Sequence, residues 1–257
     1  MKKYLKSFLW NYFPTLFSHY SAFRNRNSEP EIALISYLCE KSRVSVDIGA
    51  YRGTYSYYMM KYSSFCYAFE PNPVESKFLE NRFNNCKEKI GIKNVALSDK
   101  SGKTNLRIPH NDNGRSTIET DNELDGYEIN KLEIDMKRLD DYKLEDIEFI
   151  KIDVEGHEEA VLNGSKDTIR RNQPSFIIEI EERHKIGSIE KVFTFFRKLD
   201  YKGFFFIDNK LVSIDEFERD KYQNKKNVAG SRAIGVYLNN FVFLHSKKLF
   251  RINSLIK

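Results

Sequence analysis

Apolar residues fall along this chain in two alternating rhythms: compact runs of four to six, and stripes at helical spacing. Val44–Ile48, Phe65–Phe69, Ile92–Leu97, Phe149–Ile152 and Ser175–Ile180 are compact runs rich in β-branched and aromatic residues, and each reads as a buried strand. Tyr55–Tyr62, Val74–Lys87 and Glu158–Arg171 lie between them. Their spacing predicts helices, the last with Ala160, Val161, Leu162 and Ile169 turned inward. Strand and helix alternate with short links, which predicts an α/β domain around a parallel, doubly wound sheet. Thr104–Ile108 reads as a short strand beside Ile92–Leu97, with Ser101-Gly102 as the turn. Segments 202–207 and 211–214 flank Asp208-Asn209-Lys210 as a hairpin, and Phe241–Leu244 is the final strand.

The ends of the chain follow a different pattern. In residues 1–27, Leu5, Phe8, Leu9, Tyr12, Phe13, Leu16 and Phe17 recur at helical spacing beside Lys2, Lys3 and Lys6. This predicts a basic, aromatic-rich helical extension that packs on the domain or on a second copy in a homodimer. An alternative placement is a peripheral helix in the membrane interface. Ser28-Glu29-Pro30-Glu31 has the form of a capping box that opens a helix. The domain proper spans 28–245, and 246–257 forms a basic tail. The N-terminus begins like a secretory signal but is broken by Asn11, Pro14 and His19. No apolar run approaches the roughly 20 residues of a membrane span. The expectation is a cytoplasmic protein, with peripheral contact at the inner face of the membrane as the further option.

Charge sharpens this picture. The net +5 is unevenly distributed, because residues 1–28 hold five Lys/Arg and 221–257 hold eight, with no acid in either segment. The stretch 29–220 is left with 29 basic and 37 acidic residues, a net −8. An acidic body argues against nucleic acid as a partner, since phosphate contacts need basic residues across the binding face. Three cysteines, Cys39, Cys66 and Cys86, show no metal-ligand spacing and cannot form a closed disulfide set.

The chemistry concentrates at strand ends. Val44–Thr54 reads as a strand that stops at Asp47, a turn through Gly49 and a helix opening near Gly53. Glu70, seventeen residues beyond Gly53, closes the next strand, and Asp153 and Glu179 close two others. In a parallel sheet these carboxyl ends share one edge, so the four acids gather around one crevice. A dinucleotide pyrophosphate is poorly matched to such a wall of carboxylates, whereas the sulfonium and ammonium of S-adenosylmethionine are well matched. The glycine spacing also departs from G-x-G-x-x-G, because Tyr51 holds the place of the second glycine.

Three stretches carry a family resemblance: Val-Asp-Ile-Gly-Ala-Tyr-Arg-Gly at 46–53, Phe-Glu-Pro-Asn-Pro at 69–73, and Ile-Lys-Ile-Asp-Val-Glu-Gly-His-Glu at 150–158. Together they resemble the FkbM-type S-adenosylmethionine-dependent methyltransferases, over roughly residues 30–245. The resemblance implies the class I methyltransferase fold, a Rossmann-like three-layer sandwich whose seven-stranded, mostly parallel sheet has an antiparallel last strand. It also implies S-adenosyl-L-methionine as cofactor. The implied reaction is O-methylation of a hydroxyl on a sugar, glycan, glycolipid or secondary metabolite. Carried over by position, Asp47, Gly49, Ala50 and Gly53 surround the methionine part of the donor and Glu70 holds the ribose. Ala96, Leu97 and Ser98 lie by the adenine, and Asp153 lies near the donor amino group and the reaction centre.

Methyl transfer to a hydroxyl calls for alignment and a proton acceptor. Asp153, His157 and His184 are the candidates, His157 because it follows the Asp153 strand end within the shared motif. Asp153 could instead join Glu155 and Glu179 around a divalent metal, but nothing in the spacing demands one, and no metal is assigned. Two rival functions stay open at this level. One is an NAD-dependent oxidoreductase on a similar strand order, and the other a non-catalytic methyltransferase-like adaptor.

Overall fold

The computed structural model describes residues 29–257, apart from 111, 123, 125, 230 and 231. The expected N-terminal extension, 1–27, and the Ser28 cap lie outside the described residues. Glu29 stands before a 3-10 turn, Pro30–Leu34, and makes no side-chain cap. That turn runs into a short helix, α1 (Ile35–Leu38).

Thirteen strands are described, β1 (Val44–Ile48), β2 (Phe65–Phe69), β3 (Ile90–Lys93), β4 (Ala96–Leu97), β5 (Gly102–Pro109), β6 (Ile129–Lys137), β7 (Ile147–Ile152), β8 (Ser175–Glu179), β9 (Tyr201–Ile207), β10 (Lys210–Ser213), β11 (Val228–Ala229), β12 (Arg232–Ala233) and β13 (Asn240–His245). Eight form the central sheet in the order β10-β9-β13-β8-β7-β1-β2-β3. The pairs from β3 to β8 are parallel, and β13 runs antiparallel between β8 and β9. The last strand is therefore antiparallel, as expected. The count is eight rather than seven because the β9–β10 hairpin adds an antiparallel edge strand.

Alternating side chains of the strands feed two hydrophobic layers. Val46, Ile48, Ile150, Ile152, Phe176 and Ile178 pack with helices α4 (Glu158–Asn163), α5 (Lys166–Asn172) and α6 (Ser188–Arg197) on one face. Cys66, Ala68, Phe149 and Ile177 pack with α1, α2 (Thr54–Tyr62) and α3 (Pro73–Arg82) on the other. The result is a three-layer sandwich. Cys39 and Cys66 are buried within it as free thiols.

Three local expectations change. The apolar run 92–97 is not one strand: β3 ends at Lys93, and β4 leaves the central sheet to pair with β6. The partner of β5 is β6, along its whole length, rather than the 92–97 run. The helix expected over 158–171 is broken at Gly164-Ser165, and Gly164 packs so close to the segment after β4 that a Cβ there would lie 1.9 Å from the Ser98 carbonyl oxygen. Of residues 246–257, the 3-10 turn Ser246–Arg251 pairs with Glu148 through Lys248 and Arg251, and the chain end reaches β10, where Leu211 N–H donates to Leu255 O and Lys257 N–H to Leu211 O. Ile252 of this segment is fully buried.

Candidate active site

The β1–α2 corner is built on two glycines with positive φ, Gly49 at 78° and Gly53 at 74°. A Cβ on Gly49 would sit 1.7 Å from the Asp153 carbonyl oxygen, so only glycine lets the ends of β1 and β7 come together. A Cβ on Gly53 would meet Phe83 at 2.6 Å and Leu79 at 2.7 Å, so this glycine is required by packing against the α3 region. Between them Tyr51 has φ 45°, and its N–H donates to the Glu70 carboxylate at 2.7 Å. The Asn72 N–H donates to the other oxygen of Glu70 at 2.8 Å. Glu70 is thereby fixed at the tip of β2, and burial raises its pKa to about 7.

Two hollows open on either side of this corner and share Gly49, Tyr51 and Asp153. The first is lined by Glu70, Ala96, Leu97 and His157, with apolar walls from Phe69, Val95, Leu106, Ile118 and Val154. Asn113, Gly114, Ser116 and Thr117 of the polar loop after β5 close its other side. The second is lined by Glu29, Asp47, Ala50, Thr54, Tyr55 and Lys151.

The second hollow is a nest of buried charge. Lys151 projects from the apolar strand β7 and is 1% exposed. Its ammonium donates to Asn240 Oδ1 at 3.1 Å and Ile152 O at 3.3 Å, lies 3.8 Å from Asp153 Oδ2, and sits over the Tyr55 ring. Burial opposes its charge, but Asp153, Glu179, Glu29 and Asp47 together hold its pKa above the ordinary lysine value. Asp47 accepts a hydrogen bond from Ser56 Oγ at 2.5 Å. Burial raises the Asp47 carboxyl to about 6 and that of Glu29 to about 7.

The histidines are placed differently. His157 lines the first hollow with its Nε2 2.8 Å from Ser98 Oγ and its Nδ1 3.4 Å from Glu119 Oε2. Glu119 also pairs with Lys185 at 2.8 Å, and the His157 hydrogen bond leads the contacts that lower its pKa to about 2. An ionised Glu119 only accepts, so Nδ1 donates to it, while the Ser98 hydroxyl at Nε2 also donates to Asp99 Oδ1 at 3.2 Å. His184 is buried, lines neither hollow, and has a pKa lowered to about 4 by burial. Its Nε2 lies 3.1 Å from Glu155 Oε2, and neither atom has a hydrogen-bond partner.

Glu155 has φ 52°, with its carbonyl oxygen held by the Thr117 hydroxyl and the Asn122 amide, each at 2.9 Å. One oxygen each from Asp153, Glu155 and Glu179 lies within 4.8 Å of the others. Burial, and then the Asp153 charge, push the Glu155 and Glu179 carboxyls well above the usual range. Glu181 behaves oppositely. Burial works against its charge, but pairing with Arg183, together with His184 and Tyr237, lowers it to about 2.

The sequence from 47 to 202, more than half of the chain, matches the family model described as the methyltransferase FkbM domain. The chain belongs to the FkbM methyltransferase family. No curated protein matches the sequence. Among solved structures, the FkbM methyltransferase from Methylobacillus flagellatus KT is similar with a TM-score of 0.52 and 16% identity over 79% of this chain. The chain spans 44% of that protein's length. An O-methyltransferase from Bacillus cereus, solved in complex with SAH, has a TM-score of 0.50 and 9% identity, covering 93% of this chain and 95% of that one. At these identities the likeness is one of fold, and the fold is that of class I S-adenosylmethionine-dependent methyltransferases.

S-adenosylmethionine is the cofactor of this FkbM family member, and the residues fit it. The first hollow offers apolar walls to a flat base and a fixed carboxylate to ribose hydroxyls, and the second offers carboxylates to a cation. Of the residues singled out in the sequence, Gly49, Glu70, Ala96, Leu97, Asp153 and His157 line the first hollow, and Asp47, Gly49, Ala50 and Asp153 the second. Ser98 stands behind His157, while Gly53 and His184 line neither hollow. Lys151, Glu29 and Glu119 escaped the sequence reading. Lys151 had a visible signal, a lysine inside an apolar strand, whereas Glu29 and Glu119 reach the site only through chain packing. Among the described residues, no helix is long and apolar enough to cross a membrane.

Proposed function

We propose that this FkbM methyltransferase transfers the methyl group of S-adenosylmethionine to a hydroxyl of a sugar, glycan, glycolipid or hydroxylated secondary metabolite. The observation that carries this is the position of Asp153, whose residue borders both hollows. Bound there, S-adenosylmethionine supplies a methyl carbon already activated by its sulfonium.

The chain's own residues have three tasks. Glu70 accepts from ribose hydroxyls with the lone pairs left free by its two backbone donors. Asp47, Glu29 and Asp153 complement the donor's positive charge. The acceptor oxygen must be aligned about 3 Å from the methyl carbon, where most of the acceleration arises.

For the proton, Asp153 is the best-supported acceptor. Both ring nitrogens of His157 are engaged with Ser98 and Glu119, so an orienting role suits His157 better. His184 is too deeply buried to meet the acceptor, and its role runs through Glu155. The strand ends next to Asp153 carry Glu181, Arg183, Tyr237 and Asn239, with Tyr237 and Asn239 both donating to Glu181 at 2.5 and 3.0 Å. A rim this rich in donors and acceptors favours a polyhydroxylated acceptor over an apolar one. The acidic wall disfavours the nicotinamide alternative, and turnover separates an enzyme from an adaptor. Labelled S-adenosylmethionine incubated with glycan and lipid extracts, followed by identification of the product, tests the proposal. Label in an ether-linked methyl group supports it, and label confined to nitrogen or carbon overturns it.

A further inference from the structure

We propose that Asp153, Glu155 and Glu179, bordered by His184, form a divalent-cation site beside the donor hollows, with Mn2+ or Mg2+ as its ion. Three observations carry this. One oxygen from each carboxylate lies within 4.8 Å of the others, the spread of ligands that share an ion at about 2.0–2.6 Å. Next, His184 Nε2 points at this group from a side chain only 3% exposed and has no hydrogen-bond partner. Its 3.1 Å approach to Glu155 Oε2, also without a hydrogen-bond partner, leaves two buried polar atoms facing each other at the edge of the group. Finally, three carboxyl groups crowd one point, only Asp153 of the three lies within 4 Å of the Lys151 ammonium, and Glu181 is already matched by Arg183. A divalent ion would offset the repulsion among the three. A carboxylate set selects hard ions of the Mg2+ and Mn2+ type.

The role of the ion rests on the O-methyl transfer proposed above, although its binding does not. An acceptor hydroxyl that meets the ion becomes more acidic. Each carboxylate commits one oxygen to the group, so Asp153 keeps a second for the proton. The O–H bond breaks, the proton goes to Asp153, and the oxygen pair forms the O–CH3 bond. The S–CH3 bond breaks, and its electron pair stays on sulfur.

The test is a titration of the full chain with Mn2+ alone, with free ion read by electron paramagnetic resonance. One ion per chain is expected, with affinity falling at least tenfold in Glu155→Gln and Glu179→Gln and about threefold in His184→Ala. Mn2+ should raise the melting temperature of the wild type but not of the two Gln variants, while their ion-free melting temperatures confirm folding. No bound Mn2+ at millimolar concentration, or wild-type affinity in both Gln variants, overturns the site. A second arm follows methyl transfer before and after chelation. A tenfold loss restored by Mn2+ supports the catalytic role, and unchanged turnover removes it. Tight Mn2+ binding without O-methyl transfer under any condition counts against the proposed reaction and leaves the ion site standing.

Discussion

The carbonyl oxygen of Asp153 occupies the space that a Cβ on residue 49 would need, at 1.7 Å from its position. Gly49 therefore joins two strand ends, and the same contact lets Asp153 face both sides of the glycine corner. Gly49→Ala must move one strand end and also hold alanine at φ 78°. A loss of at least ~2 kcal/mol of stability is expected from strain and overpacking combined, measured by urea unfolding. Wild-type stability in this variant would show that the β1–β7 contact is not rigid.

Glu70 is tied to the backbone by Tyr51 and Asn72, so its removal has two consequences. Glu70→Ala should abolish measurable S-adenosylmethionine binding by calorimetry and cost about 1–3 kcal/mol for the two buried N–H groups left unpaired. Glu70→Gln keeps one acceptor oxygen and should fold better while still losing at least tenfold in affinity. Asp153→Ala should likewise lose donor affinity with the fold intact. Unchanged affinity in both alanine variants would remove these residues from the donor site.

Lys151 is the cation in the middle of Asp47, Asp153, Glu179 and Glu29. Lys151→Met preserves volume and leaves those carboxyls without it. The cost should be roughly 3–5 kcal/mol at pH 8, as for a broken buried pair, and clearly smaller at pH 5.5, where the carboxyls take up protons instead. Denaturant melts at the two pH values measure the difference, and an equal cost at both would contradict the electrostatic account.

His157 is held between Ser98 and Glu119. His157→Ala should lower turnover about tenfold while leaving donor affinity within a factor of three, as expected when alignment rather than binding is lost. Glu119→Gln should move turnover the same way, because it weakens the contact that sets the ring tautomer. Paired turnover and calorimetry on both variants decide this.

The raised acids also set a pH dependence. Glu29, Glu70 and Glu158 have folded pKa values of about 7 against an ordinary 4.5, mainly through burial. The folded chain holds those protons where the unfolded chain has lost them, so this stability is present at low pH and is lost as pH rises toward 7 and beyond. His184, lowered from 6.5 to about 4, works in the opposite direction but only below about pH 6.5. The donor-free protein should therefore melt at a lower temperature at pH 8 than at pH 6.5. Donor affinity should rise over the same interval, because ionised carboxylates attract the cation. A melting temperature that climbs from pH 6.5 to 8 would overturn this assignment.

Much of the fold could be read in the sequence because burial on both faces of a parallel strand imposes continuous apolar runs, and those runs ended in acids that mark one sheet edge. Asp47, Glu70, Asp153 and Glu179 were visible for that reason, and the 150–158 motif gave the family. The strand β6 was not, since a strand of a small, partly exposed mixed sheet carries a charged residue at every second position from Lys131 and offers no continuous apolar run. The need for glycine at 164, where the helix breaks, was equally hidden, because the backbone it packs on belongs to Ser98, more than sixty residues away. What only the tertiary structure decided is which polar groups meet. Lys151 faces four acids, His157 is clamped between Ser98 and Glu119, and His184 is turned onto Glu155 beside a three-carboxylate cluster. Local sequence specifies strands, turns and strand-end acids through short-range sterics and burial. The pairing of charges across the crevice depends on how distant elements pack, and that packing sets which carboxyls are ionised and available for chemistry.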